Sequence, residues 1–162
     1  MLHARLRKGS ANTARGIVRF ADELIARLRR AGASGELTVR MDSGFWSAKL
    51  IRRLRAQRVR YSITVRQTTT VRAAIAAIPD AAWVEIGYTG DGLAQVAETP
   101  YRGDRLIVRR VRNLGEQAQL FATWRYHAFV TDRVGTSIEL DADHRRHAVQ
   151  ELAIRDLKEG PG

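Results

Sequence analysis

An aspartate that directly follows a short strand-like segment is the first candidate for chemistry. Leu37, Val39 and Met41 alternate with polar neighbours, which is typical of a β-strand, and Asp42 comes next. A Ser-Gly pair then breaks the pattern before Ser47, which can cap a following helix. Open α/β sheets bind ligands at the carboxyl ends of their strands, so this carboxylate is a candidate ligand. The alternative is an ordinary polar residue beside a turn.

A second candidate set lies on a helix predicted from about Glu139 to Lys158. His144, His147, Glu151 and Lys158 follow one another at offsets of three, four and seven, which keeps them roughly on one stripe. One carboxylate, two imidazoles and an ammonium can line the groove of an active site. The alternative is a solvated helix face with an ordinary Glu-to-Lys relation.

The same stripe allows a zinc site as a third interpretation. Imidazole and carboxylate groups suit Zn²⁺, and the spacing of His144, His147 and Glu151 is helical. Zinc that stays bound after dialysis against a weak chelator would support this interpretation, and its loss would end it.

Positive charge is the most informative feature of the composition. The 162 residues contain 28 Lys and Arg against 17 acids, a net charge of +11, and no acid lies between Asp42 and Asp80. A polyanionic partner is indicated, with nucleic acid favoured, because Arg forms bidentate contacts with phosphate. A proteome rich in arginine would explain why most of the cations are Arg rather than Lys, but it explains the local absence of acids less well. The candidate DNA-binding residues are Lys49, Arg52, Arg53, Arg55, Arg58 and Arg60.

Other classes of protein are disfavoured by what the sequence lacks. There is no Cys, so neither a disulfide framework nor a thiolate metal site is predicted. No apolar run is long enough to span a membrane, and the charged N-terminal residues are not followed by the apolar core of a signal peptide.

The elements around these sites predict an α/β domain with a β-rich middle. Strand-like segments at 3–8, 36–41 and 59–66 alternate with helical ones at 13–30, after Ser47, and at 70–78. Asn12 or Thr13 is the expected cap of the first helix, and the glycines at 32–35 end it. Four further strands are predicted at 83–88, 93–99, 105–112 and 126–131. The expected parts are therefore 1–80 (α/β), 81–134 (a β-rich insertion) and 135–162 (the terminal helix).

Two separated segments resemble the DDE-type insertion-sequence transposases. Residues 39–47 are similar to the segment that carries the second catalytic Asp, and residues 144–158 to the terminal helix with the catalytic Glu. The group has a YREK signature, in which Tyr, Arg, Glu and Lys are separated by two, three and six residues. Glu151 and Lys158 match its last two positions, while His144 and His147 replace Tyr and Arg. Segments 61–65, 71–79, 105–110 and 124–129 also resemble this group, most closely the thirteen-eighty family.

This resemblance implies a fold, a reaction and partners. The fold is a ribonuclease H-like mixed sheet with flanking helices and a β-rich insertion before the last helix. The reaction is two-metal phosphoryl transfer, in which three carboxylates, Asp42 and Glu151 among them, hold Mg²⁺ or Mn²⁺. Lys158, His147 and His144 would support this site. The implied partners are transposon ends and target DNA, with a second copy or a full-length transposase possible, in a cytoplasmic, nucleoid-associated setting.

The family's first Asp has no evident counterpart before Asp42. Asp22 and Glu23 fall within the predicted first helix, and Glu36 does not lie on a matching strand. We therefore expect a truncated transposase that lacks its N-terminal strands and is inactive alone. The alternative is a non-enzymatic nucleic-acid-binding module or an inhibitor of transposition.

The charge pattern generates a first prediction, which concerns binding to duplex DNA. The affinity should be weak and independent of sequence, and it should fall steeply with salt because phosphate contacts release counterions. Replacing Arg52, Arg53 and Arg55 with Ala should flatten the salt dependence by about 0.9 in log–log slope for each phosphate that is no longer neutralised. Fluorescence anisotropy over a salt series measures this slope. Binding that is insensitive to salt, or no binding at low salt, would contradict the prediction.

Overall fold

The computed structural model describes residues 16–87, 92–113 and 124–146. These residues divide into two compact units, of which the first ends at Arg66 and the second begins at Gln67. The first unit contains two helices and two parallel strands, and the second contains four antiparallel strands with helices. The chain is therefore a mixed α/β protein, as the alternating first half and β-rich middle predict. The three-part division of the chain at residues 80 and 134 stays a prediction.

Helix α1 spans Ile17–Arg30, within the helical segment predicted at 13–30, and has an apolar face. Ile17, Ala21 and Ile25 recur every four residues and are buried. The predicted cap at residue 12 or 13 is wrong, because the helix begins after Gly16. Gly16 has a φ of 76°, a left-handed conformation that does not continue an α-helix and that glycine adopts at little cost. The helix ends at the predicted place, just before Gly32.

Two parallel strands and a connecting helix complete the first unit. Strand β1 spans Thr38–Met41, helix α2 spans Ala48–Ala56 and strand β2 spans Arg60–Thr64. The Ser47 hydroxyl accepts a hydrogen bond from the Leu50 backbone N–H at 3.2 Å, which confirms the predicted cap. Because β1 and β2 are parallel, their carboxyl ends lie at the same edge.

The core of the first unit comes from α2 and β2. Leu50 and Leu54 on α2, and Tyr61 and Ile63 on β2, have no exposed surface at all. Full burial of such a side chain contributes about 1.5–3 kcal/mol relative to leaving it in water. The apolar spacing of α2 therefore fixes which of its sides faces inward and which faces solvent.

The second unit is built on a run of four strands in which each pairs with the next along the chain. Arg102 and Gly103 connect the two central strands and have φ values of 53° and 80°. Two successive positive φ values give the turn whose twist matches that of paired strands. The strands are β3 (Val84–Ile86), β4 (Gly92–Tyr101), β5 (Asp104–Asn113) and β6 (Arg125–Thr131), with helix α3 (Thr69–Ala76) preceding them.

A further helix, α4, follows β6 and is described over 137–146. Its first turn forms a capping box. The Thr136 backbone N–H donates to Glu139 Oε2 at 2.9 Å, and the Glu139 N–H donates to the Thr136 hydroxyl at 3.2 Å. The bonds from the Thr136 backbone and hydroxyl lower the pKa of Glu139 below its ordinary value. Leu140 then packs with Phe129 and other buried residues of the strands.

The capping box predicts a matched pair of stability effects. Thr136→Ala should cost about 1 kcal/mol of unfolding free energy near neutral pH, whereas Thr136→Ser, which keeps the hydroxyl, should cost less. The stabilising effect of the ionised Glu139 is present above its unfolded pKa of 4.5 and is lost as the pH falls through the lower folded value. The free energy of unfolding, measured with urea from neutral pH to acid, should fall in the parent protein and should fall less in Thr136→Ala. Equal acid dependence in both proteins would contradict the role of the capping box.

Candidate functional site

Asp42 lies where the strand pattern predicts, directly after the last residue of β1. Its Oδ1 accepts a hydrogen bond from the Ser43 backbone N–H at 2.6 Å, and a short 3₁₀ turn, Ser43–Phe45, begins there. The side chain is exposed. A carboxylate has about four lone-pair sites, so this cap orients the group and leaves oxygen positions for a ligand.

The end of β2 lies beside the end of β1 in this unit. Met41 pairs with Ile63 in the parallel register, so Asp42 and Thr64 follow at the same edge. This is the edge at which open α/β sheets bind ligands. Asp42 therefore lies at the strand end that the sequence predicts, and its binding of a ligand stays a prediction.

Of the four residues on the predicted stripe of the terminal helix, the structure describes only His144. The His144 ring stacks on the Phe129 ring with centroids 4.0 Å apart and planes at 2°. His147, Glu151 and Lys158 lie outside the described residues. The placement of these groups on one stripe, including the possible zinc site, therefore stays a prediction.

Three of the six predicted DNA-binding cations already have intramolecular partners. Arg53 Nε lies 2.8 Å from Asp22 Oδ1, and Arg60 Nε lies 3.1 Å from Glu36 Oε2. The Arg55 Nε–H donates to the Tyr61 hydroxyl at 3.2 Å. These three guanidinium groups are thereby directed toward the protein itself.

The other three cations of the predicted set are Lys49, Arg52 and Arg58. All three side chains are exposed, and none makes a side-chain hydrogen bond or ion pair with another residue that the structure describes. Lys49 and Arg52 lie on α2, and Arg58 follows its C-terminal end with a φ of 54°. The predicted set therefore divides into two groups of equal charge.

Residues 16–87, 92–113 and 124–146 lack the features of two other kinds of site. Within these ranges no group of three or more His, Cys, Asp or Glu side chains could hold a metal ion. No helix within them is long and apolar enough to cross a membrane.

The comparison with family models identifies the chain. The model described as transposase DDE domain group 1 matches residues 1–160. The chain belongs to this transposase family. A comparison with curated proteins returned no match.

Membership of this transposase family confirms the broad resemblance that the sequence motifs indicate. DDE transposases act in DNA transposition, bind DNA and generally use divalent metal ions. The YREK group and the thirteen-eighty family are finer assignments that this match leaves as predictions.

A buried ion pair in the second unit of the transposase domain was not predicted from the sequence. Asp141 on α4 lies 3.4 Å from Arg109 Nε on β5, and the two side chains are 4% and 16% exposed. Arg145 Nε, which is more exposed, approaches the other Asp141 oxygen at 2.9 Å. Ile107 and Val111, which flank Arg109 on the same side of β5, belong to the buried apolar cluster that also contains Leu140 of α4.

His127 lies across the strand pairing from Arg109. Partial burial, and then the positive charge of Arg109, lower the pKa of His127 below its ordinary value, while Asp141 acts in the opposite direction. The imidazole therefore favours its neutral form beside this ion pair.

The sequence does contain a signal for this pair. Ile107, Arg109 and Val111 alternate along β5, so a strand pattern places Arg109 on the same side as two apolar residues. A cation on an apolar side requires an anionic partner, because an unpaired buried charge is strongly unfavourable. Asp141 follows the buried Leu140 on α4 and could have been recognised as that partner.

A second group of arginines lies over aromatic rings, and one of them also approaches an exposed acid, with Arg110 Nη1 3.6 Å from Asp80 Oδ1. The Arg110 guanidinium carbon lies 4.1 Å from the Trp83 ring centroid and 4.5 Å from that of Trp124. Arg112 lies 5.0 Å from the same Trp124 ring. Arg110 Nε–H also donates to Gln95 Oε1 at 2.7 Å, so this arginine is fixed on the strands.

The buried pair predicts a large effect from one substitution on α4 and a small effect from its neighbour. Asp141→Asn should cost about 3 kcal/mol, because it leaves the Arg109 charge buried without its partner. Asp143→Asn on the same helix should cost less than Asp141→Asn, because the Asp143 side chain is 33% exposed and solvent screens its contacts with Arg133 and Arg146, which are 27% and 77% exposed. Urea unfolding measures both effects.

A double variant separates loss of charge pairing from loss of packing. Asp141→Leu with Arg109→Leu removes both charges and should recover most of the stability lost in Asp141→Asn. Similar costs for Asp141→Asn and Asp143→Asn would show that the buried pair does not stabilise α4 on the strands.

Proposed function

We propose that this chain is part of a DDE transposase of the YREK group, related to the thirteen-eighty family, that cleaves and joins DNA strands. The observation that carries the proposal is the exposed Asp42 carboxylate at a strand end, in a chain whose residues 1–160 match the family. We also infer that the fold is ribonuclease H-like. The parallel β1 and β2, connected by α2, support that inference.

Asp42 and Glu151 are the proposed metal ligands. Hard carboxylate oxygens suit Mg²⁺ or Mn²⁺, and the exposure of Asp42 is compatible with that role. Two such ions, when bound, activate the attacking oxygen and stabilise the leaving one. Asp42 contributes an oriented oxygen, since the Ser43 N–H fixes one side of its carboxylate. His144, His147 and Lys158 are the proposed supporting groups on the predicted stripe of the terminal helix.

We propose further that these 162 residues do not cleave DNA by themselves. The family resemblance implies three carboxylate ligands, and only two of them have counterparts in this sequence. Fewer carboxylates weaken the binding of hard cations, and misplacing a reacting group by about 1 Å can cost on the order of a hundredfold in rate.

A second candidate function is DNA binding without catalysis, as an inhibitor of transposition or in association with a complete transposase. The three cations without partners among the described residues favour it, together with the acid-free segment in which they lie. This candidate shares the DNA partner with the first and differs from it in needing neither Asp42 nor Glu151.

A strand-cleavage assay separates the two functions. The isolated chain with Mg²⁺ or Mn²⁺ should neither nick nor join DNA. Fusion to a family segment that bears the first Asp should produce metal-dependent nicking, because it supplies the third ligand. Glu151→Ala and Asp42→Ala should each abolish that activity, while Glu36→Ala, which removes an acid paired with Arg60, should retain it.

Two outcomes would contradict the proposal. Nicking by the isolated chain that disappears in Asp42→Ala would show that two carboxylates suffice. A fused protein whose nicking survives Glu151→Ala would show that Glu151 is not a metal ligand.

A further inference from the structure

We propose that the outward side of α2, rather than the whole basic stretch, holds the DNA backbone, with Lys49, Arg52 and Arg58 as the phosphate contacts. The inference rests on the proposed function for the identity of its partner, and it is independent of catalysis. It divides six cations that the sequence alone treats as equivalent.

Helical geometry sets the direction of the first two contacts. Leu50, Ile51 and Leu54 are buried and define the inward side of α2. At 100° per residue, Lys49 and Arg52 lie on the opposite side, and both are exposed. Two cations three residues apart on one side of a helix can contact neighbouring phosphates of one strand.

Small residues border these two cations. Ala48 and Ala56 are exposed on the same outward side of α2. Their side chains end at Cβ, so a DNA backbone can approach the helix closely while the longer Lys49 and Arg52 side chains reach its phosphates. The outward side is therefore suited to a polyanion in shape as well as in charge.

Arg58 supports the inference through its backbone. It lies just beyond the C-terminal end of α2 with a φ of 54°, where glycine or asparagine is the usual residue. An arginine here is less favourable for the backbone, and its side chain has no hydrogen-bond or ion-pair partner among the described residues that would compensate. A ligand for the guanidinium gives a physical reason for a cation at this position.

The other three cations are poor phosphate ligands for local reasons. If Arg53 turned toward DNA, Asp22 would keep only its neutral partner Gln57, and if Arg60 did so, Glu36 would lose its arginine. Either carboxylate would then lie close to a phosphate of like charge. Arg55 is held by the hydroxyl of the buried Tyr61 and lies toward β2. No carboxylate lies within residues 43–79, so the positive field of Lys49, Arg52 and Arg58 is not cancelled from within this segment.

The test compares two variants that lose the same charge. One variant carries Lys49→Gln, Arg52→Gln and Arg58→Gln, and the other carries Arg53→Gln, Arg55→Gln and Arg60→Gln. Binding of the 162-residue chain to a random-sequence duplex is measured between about 50 and 200 mM salt. The first variant should show a log–log slope shallower by about 0.9 for each phosphate that is no longer neutralised, whereas the second should keep the parent slope. An equal decrease in both variants would overturn the inference, because it would show a response to net charge alone.

A second measurement uses the unaltered chain, so it does not depend on how the variants fold. Arginine modification by phenylglyoxal, read by mass spectrometry, should show that DNA protects Arg52 and Arg58. Adding DNA should change the modification of Arg53 and Arg60 little. Protection of Arg53 and Arg60 without protection of Arg52 would overturn the inference. The inference would also be overturned if the variant with Lys49→Gln, Arg52→Gln and Arg58→Gln lost its binding to polyglutamate, a polyanion without phosphate groups, but kept its binding to DNA. A chain that passes both tests and yet shows no nicking after fusion would contradict the proposed function alone.

Discussion

The ion pair between Arg109 and Asp141 is the constraint on which the arrangement of the second unit depends. Both side chains are largely buried, where neither charge is tolerated without an opposite one. Apolar packing alone allows a helix to slide or rotate over strands at modest cost, since hydrophobic attraction has no direction. Asp141, whose two oxygens meet Arg109 on β5 and Arg145 on its own helix, removes that freedom and fixes α4 on β5.

That constraint has a functional meaning under the proposed mechanism. The helix that begins at 137 is predicted to continue to Glu151, and catalytic groups must be held with little tolerance for displacement. The capping box at Thr136 fixes where the helix starts, and Asp141 fixes its rotation. The proposed metal ligand would thus inherit its position from polar contacts near the beginning of the helix.

Arginine serves at least three different purposes among the described residues, and the strand pattern of the sequence points to only the first of them. Arg109 neutralises a buried acid, Arg110 is stacked between two tryptophan rings, and Arg52 points away from the core with no partner among the described residues. A net charge of +11 therefore overstates the charge available to a ligand. The available part includes Lys49, Arg52 and Arg58, which form no ion pair with another described residue.

Much of the local structure could be predicted from residue pattern. The spacing of Ile17, Ala21 and Ile25 indicates α1, and Ser47 marks the start of α2, because these signals act within one or two helical turns. The position of Asp42 at a strand end follows in the same way. The partners of Arg53 and Arg60 could not be predicted, because Asp22 and Glu36 are distant in sequence and meet them only after packing.

The hairpin of β4 and β5 has a consequence for the order in which the protein folds. Its strands are ten residues each and are paired along their whole length through the two-residue turn at Arg102 and Gly103. Such pairing needs only local loop closure, and hairpins of this kind form in microseconds, far faster than contacts between distant segments. The hairpin can therefore exist before α4 arrives, with Arg109 still in contact with water. Dehydration of that guanidinium then coincides with the arrival of Asp141, so the energetically difficult burial of charge is delayed until its partner is present.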